Sequence, residues 1–148
     1  MYILIAFYRG DVVHPESYTL DGILAEDDYW LEAKHNYIQW LFPLPEPSRA
    51  VPNSPVMTPE ELTVLRASEQ ARSRILASAE RMLRFYAASR GWLMGHDHNH
   101  LRITRIIRSL RLIVGDKPAD EFRAAILAQV KEAGAPISAS TIVYWNSV

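Results

Sequence analysis

Side chains able to do chemistry gather in two stretches of this chain. The first is His35-Asn36-Tyr37-Ile38-Gln39-Trp40-Leu41-Phe42-Pro43. Read as a helix, it puts His35 and Gln39 four residues apart on one face, with Tyr37, Trp40 and Leu41 on the adjoining one. A polar pair beside an aromatic wall suits a small ligand or a peptide. The same residues would also serve as a helix end packed into the core, with His35 and Gln39 satisfying nearby backbone groups.

The second stretch holds Arg102, Arg105, Arg108 and Arg111 at three-residue intervals. Each step turns a helix by about 300°. Arg102 and Arg105 therefore stay near one face, while Arg111 drifts to the other. A guanidinium pairs with carboxylate or phosphate in a fork. One reading is an anion site made by Arg102, Arg105 and His98. The other is internal pairing with acids such as Asp21, Asp27 or Glu32. His96, His98 and His100 precede the arginines, interleaved with Asp97 and Asn99. Alternate histidines of an extended chain point the same way. Lacking a fourth ligand they make a weak metal site, so no metal is expected, and His98 is expected to cap the helix start or meet the His35 region.

Catalytic signatures are missing. The chain has no Gly-rich phosphate loop, no His-Glu-x-x-His and no Gly-x-Ser-x-Gly. It has no cysteine, which removes disulfides, cysteine-held zinc and thiol chemistry. No catalytic residue and no cofactor are expected. Charge is unevenly spread. Residues 1–65 carry 3 basic and 10 acidic side chains, residues 66–111 carry 10 arginines and 3 acids, and residues 112–148 carry 3 basic and 4 acidic. The asymmetry fits an anionic partner, or an acidic part packed near arginine-rich helices. A pI near 6.5 argues against nucleic acid, which selects for excess positive charge over a domain.

The elements that must position these residues read as helices. With 148 residues, 49% of them hydrophobic, the chain is long enough for one core and too apolar for disorder. A single domain over residues 1–148 is expected. Residues 3–8, rich in Ile, Phe and Tyr, read as a short extended segment before a turn at Gly10-Asp11. This apolar opening is too short for a membrane span or a secretion signal, so an intracellular, cytoplasmic chain is expected. A helical pattern runs from about Thr19 to Phe42, with a possible break at Asp27-Asp28, and Pro43 stops it. Pro43, Pro45, Pro47, Pro52 and Pro55 stiffen an ordered crossing. Thr58-Pro59-Glu60-Glu61 has the capping-box pattern and opens a long helix to about Ser89, with Gly91 as its closing residue. A polar loop, Gly95 to His100, leads to a helix along Leu101, Ile103, Ile106, Ile107, Leu110 and Ile113, closed by Gly115. Pro118 starts the next, closed by Gly134. Residues 138–145 have strand-like composition, but Ser138 or Ser140 can cap a helix, and helix is the reading preferred here. The expected fold is all-α: an irregular bundle of about five helices with a proline-rich crossing.

The first block closely resembles the conserved domain of the opioid growth factor receptor family, which carries a stretch like His-x-Tyr-Ile-Gln-Trp-Leu-Phe-Pro-Leu before a proline-rich chain. Arg81-Met82-Leu83-Arg84-Phe85-Tyr86 is similar to the family's Met-Leu-x-Phe-Tyr-Gly, although Ala87 stands in place of the glycine. The segment from His98 through Leu101-Arg102-Ile103-Thr104-Arg105-Ile106 is similar to its His-Asn-x-Leu-Arg-Ile-Thr-Arg-Ile. Phe7-Tyr8-Arg9-Gly10 looks like its N-terminal Phe-Tyr element. The resemblance implies a short stand-alone member and a domain that binds the pentapeptide Met-enkephalin and restrains growth. Animal members of the family are also nuclear.

The expectation is therefore a binding module for a peptide, a protein or an anionic small ligand, of unknown oligomeric state. Its site is expected where His35, Tyr37, Gln39 and Trp40 approach His98, Asn99, Arg102 and Arg105. The runner-up is a small-molecule or nucleotide-processing enzyme using the same arginines and histidines. A third reading is binding of an anionic polymer.

Overall fold

Local capping signals mark out most of the elements in the computed structural model, which describes residues 2–148. Among them it has helices and no strand: α1 (Ile3–Arg9), α2 (Leu20–Leu24), α3 (Asp28–Ala33), α4 (Ile38–Leu41), α5 (Pro59–Ala67), α6 (Glu69–Ala88), α7 (His98–Ile113), α8 (Asp116–Ala133) and α9 (Ala139–Ser147). The all-α expectation holds, with more and shorter helices than the five foreseen. Two compact units divide the chain at Ser78 and Ala79.

In the first unit, residues 3–8 are helical rather than extended. Leu4, Phe7 and Tyr8 are spaced to share one helical face, and all three are buried. Gly10, at φ 106°, lets the chain turn out of α1, with its N–H bonded to Phe7 O and that of Asp11 to Ala6 O. Burial of that face outweighs the extended preference of Ile, Phe and Tyr. At the other end of α1 the Leu4 N–H donates to Glu61 Oε2 at 2.8 Å. Glu61 also closes the capping box of α5, accepting from the Thr58 N–H while Thr58 Oγ1 accepts from its own N–H. One buried carboxylate thus holds the starts of two helices.

The pattern from Thr19 to Phe42 breaks twice. Thr19 caps α2 and Asp27 caps α3, which makes the Asp27-Asp28 break real. A second break runs from Lys34 to Tyr37. There the Tyr37 hydroxyl donates to Leu31 O at 2.6 Å, and Lys34 is extended (ψ 142°). The proline-rich crossing is closed at its base by the Met57 N–H on Leu44 O, with both side chains buried. The long helix expected from Thr58 to Ser89 is also two. Ser68 has ψ 115°, ends α5, and its Oγ accepts the Ala71 N–H at the start of α6. Leu76, on α6, is exposed.

The second unit begins within α6. Gly91 does not close that helix, since its φ lies outside the left-handed region. Instead the Trp92 indole N–H takes the last-turn carbonyl of Tyr86 at 2.9 Å. Helix α7 packs against α8 and α9. Ile103, Ile106, Ile107, Leu110 and Ile113 are buried as expected, and Leu101 is 72% exposed. Gly115 (φ 134°) and Gly134 (φ 60°) turn the chain after α7 and α8. The final segment is a helix, capped by Ser138 Oγ on the Thr141 N–H and anchored by buried Trp145. No helix is long and apolar enough among the described residues to cross a membrane.

Candidate functional site

A tight turn, His14-Pro15-Glu16-Ser17-Tyr18, builds the most chemically distinctive surface of the first unit. Ser17 N–H closes it on His14 O at 2.8 Å. Ser17 is the non-glycine residue with positive φ, 63°, a conformation that costs roughly 1 kcal/mol or more and needs support from its surroundings. The support comes from the ring of His14. A carbonyl can only accept, so Nε2 carries the proton and donates to Asn36 O at 2.8 Å; Nδ1 then accepts the Glu16 N–H at 3.0 Å. Both nitrogens of a neutral imidazole are thereby used to tie the turn to the loop after α3.

Aromatic rings continue from this imidazole in both directions. His14 stacks on Tyr18 with centroids 4.4 Å apart and meets Trp40 at 4.9 Å. Trp40 meets Phe7 at 5.2 Å, Tyr18 meets Trp30 edge-on at 5.1 Å, and Trp30 meets Tyr37 at 5.2 Å. Phe7, Tyr37 and Trp40 are buried, whereas Tyr18 and Trp30 are only half-buried. The chain of rings is therefore buried at both ends and half-open in between, at Tyr18 and Trp30. Tyr29, beside Trp30 on α3, is 81% exposed.

Glu16 stands beside the half-open rings. Its Oε2 accepts from the Tyr18 hydroxyl and from Asn36 Nδ2. The Tyr18 and Asn36 bonds stabilise the charged form and hold its carboxyl below the usual glutamate value, with smaller help from the positive charge of Lys34. Tyr18 is shifted the other way, by partial burial first and by Glu16 second. The turn thus presents an ionised, oriented carboxylate beside two partly open aromatic rings.

Of the residues singled out by sequence in this unit, Tyr37, Gln39 and Trp40 are buried, and His35 is exposed in the loop between α3 and α4. The helical face expected for His35 and Gln39 does not form, because the break at Lys34–Tyr37 lies between them. Tyr37 and Trp40 are buried members of the run of rings, and its half-buried members, Tyr18 and Trp30, were not among the residues singled out. His14, Glu16, Tyr18 and Trp30 come from a turn and a short helix. The dense turn chemistry of His14-Pro15-Glu16-Ser17 was their only local mark.

In the second unit His98, Asn99 and Arg102 come together at the start of α7. Asp97 caps the helix through the Asn99 N–H at 2.9 Å. Asn99 Oδ1 accepts from the Tyr86 hydroxyl at 3.3 Å and from Arg102 Nη1 at 3.4 Å, and Asn99 Nδ2 lies 3.4 Å from His98 Nε2. Asn99 and Arg102 are buried, Arg105 half-buried and His98 exposed. His98 and His100 belong to a helix, so the extended alternation considered for a metal does not arise. His100 is buried and donates through Nε2 to Trp92 O at 2.8 Å, while its own carbonyl accepts the Trp145 indole N–H. Among the described residues, no three His, Asp or Glu side chains are grouped to hold a metal. Arg111 pairs within the second unit, at 2.9 Å with Asp116 and 2.8 Å with Asp120. In the first unit Arg74 comes within 4.0 Å of Asp21.

Comparison with known proteins points the same way as the sequence motifs. The family model described as the opioid growth factor receptor (OGFr) conserved region matches residues 2–91, which include the whole aromatic turn. The chain is similar to the opioid growth factor receptor of Mus musculus, 35% identical over 145 residues, covering 83% of this chain and 22% of that one. For the Homo sapiens receptor the figures are 33% identity, 83% and 21%. For opioid growth factor receptor-like protein 1 of Mus musculus they are 31% identity, 83% and 30%. The chain thus spans between about a fifth and a third of the length of these relatives. No solved structure matches it. The chain belongs to the opioid growth factor receptor conserved-region family.

Proposed function

We propose that this member of the opioid growth factor receptor family is a binding domain for a short peptide, without turnover of its own. The observation that carries the reading is the run of aromatic rings from buried Phe7 and Trp40, through His14, to half-buried Tyr18 and Trp30. Rigid aromatic side chains give a flexible ligand large contact area at low entropic cost. Here they are braced from behind, so the surface is organised before the ligand arrives. The relatives are named receptors, for opioid growth factor in the first two, which favours binding over catalysis.

The residues named by sequence enter this proposal in two sets. Tyr37 and Trp40 brace the wall, Gln39 is buried between them in sequence on α4, and His35 shares the loop of Asn36. His98, Asn99, Arg102 and Arg105 are a separate polar set, suited by charge to an anionic group. Titration with Met-enkephalin, followed by tryptophan fluorescence and calorimetry, tests the reading. Saturable binding is expected, weakened roughly tenfold or more by Trp30→Ala, as for an anchor residue. A scrambled peptide that binds equally well, or no binding at millimolar peptide, overturns it. Arg105→Ala tests the second set: unchanged affinity for peptide and for inorganic phosphate removes it from the proposal.

A further inference from the structure

Two acceptors on one hydrogen-bonded pair of side chains, Glu16 and Asn36, have no donor among the described residues. Glu16 receives both its side-chain hydrogen bonds on Oε2, so among the described residues Oε1 has no donor. Asn36 spends its Nδ2 on that same Oε2, while its Oδ1 is buried with no hydrogen-bond partner. A buried amide oxygen without a donor is costly and rare in a native fold. The two side chains are joined to each other, and His14 fixes the backbone of both, at the Glu16 N–H and the Asn36 carbonyl. The acceptors are therefore held in place rather than draped on the surface.

The chemistry that fits them is specific. It must bring at least two N–H donors in a small volume and a positive charge for the carboxylate. It must also tolerate, or gain from, ring faces beside it. A primary ammonium group has three donors and one compact charge, and aromatic faces attract cations. Its surroundings favour it further: residues 1–65 carry 10 acidic side chains against 3 basic ones, a field that draws cations in. Lys34 bears on Glu16 through its charge.

We infer that Glu16 and Asn36, flanked by Tyr18 and Trp30, form a subsite for a primary ammonium group, and that in a bound peptide this group is the N terminus. The inference rests on the peptide-binding reading for its second half only. A lysine side chain offers the same chemistry, so the probe must lack one. Met-enkephalin does, which leaves its N terminus as its single ammonium.

The test compares three probes by calorimetry on the wild-type chain and on Glu16→Gln: Met-enkephalin, its N-acetylated form, and phenethylammonium alone. Glu60→Gln serves as the control, and thermal melts confirm that each variant is folded. N-acetylation and Glu16→Gln are each expected to weaken the peptide by roughly ten- to a hundredfold, the value of a charge-assisted hydrogen bond. Glu60→Gln should leave it unchanged. Phenethylammonium should bind the wild type weakly and Glu16→Gln not at all. If the acetylated peptide binds as tightly as the free one, the subsite is overturned and the peptide reading stands. If neither peptide binds but phenethylammonium does, in a Glu16-dependent way, the ammonium subsite stands and the peptide reading falls. No binding of any probe, or binding indifferent to Glu16→Gln, overturns the subsite.

Discussion

Glu61 offers a demanding test of how the first unit is assembled. It is 2% exposed, and its two carboxylate oxygens serve two different helix starts. Oε2 accepts the Leu4 N–H of α1 at 2.8 Å, and Oε1 accepts the Thr58 N–H ahead of α5 at 3.0 Å. The stabilisation comes from unsatisfied N–H groups and the positive end of each helix dipole. Glu61→Ala removes both bonds at once. A buried donor left without an acceptor costs about 1–3 kcal/mol. Leu4 is buried, so its N–H bears the full penalty; Thr58 is half-buried, and water can take part of its share. The sum is a loss of about 2–5 kcal/mol, a large part of a typical domain's stability. Glu61→Gln keeps one acceptor oxygen and turns an amide N–H₂ toward the other donor, so it should fall between Glu61→Ala and the wild type.

Urea denaturation followed by tryptophan fluorescence measures the change, with Glu60→Ala as the exposed neighbour expected to shift stability by no more than about 0.5 kcal/mol. Hydrogen exchange localises it: the Leu4 amide should exchange much faster in Glu61→Ala, while amides of α7 keep their protection. A Glu61→Ala loss below about 1 kcal/mol, or an unchanged Leu4 amide, would refute the view that this carboxylate joins the two helices.

Three further outcomes follow from the same contacts. Because the bonds to Tyr18 and Asn36 lower the Glu16 value, the carboxylate, and any stability it lends, persists as pH falls through the ordinary glutamate range and is lost only below it. Binding of phenethylammonium should follow that course, with His14, Tyr18 and Lys34 as the titratable groups around Glu16, and a midpoint at or above the ordinary glutamate value would contradict it. Arg111 holds Asp120 below its usual value, first by a side-chain hydrogen bond and then by charge. In Arg111→Gln, NMR titration should find Asp120 moved back up, with little change in stability because the acids are exposed. Trp145→Ala should cost about 3–5 kcal/mol, since the fully buried indole fills the space under α9 and donates to His100 O; far-UV circular dichroism retaining all helicity at full stability would contradict this.

The contrast between what could and could not be read from the sequence follows the reach of each interaction. Caps act over three or four residues, and those at Thr58, Gly115, Gly134 and Ser138 were recognisable from residue type alone. Ser68 belongs to the same class: a serine followed by Glu69 is a local signal for a new helix start, and it was passed over in expecting one helix from Thr58 to Ser89. The breaks and reversals that were missed have another origin. The Lys34–Tyr37 break accompanies a Tyr37 hydroxyl on Leu31 O six residues away and a His14 ring on Asn36 O across 22 positions. The helical start of α1 is held by Glu61 across 57. In the first two cases a side chain bonds a backbone carbonyl that a continuous helix would use; in the third it fills a donor that α1 leaves unsatisfied. The candidate site was half-legible for the same reason. Tyr37 and Trp40 lie where apolar spacing exposes them to pattern reading, and both proved to be the buried back of the wall. Its solvent-facing members hang from a turn whose conformation is set by contacts across the unit, and only the assembled fold brings Glu16, Tyr18, Trp30 and Asn36 to one rim.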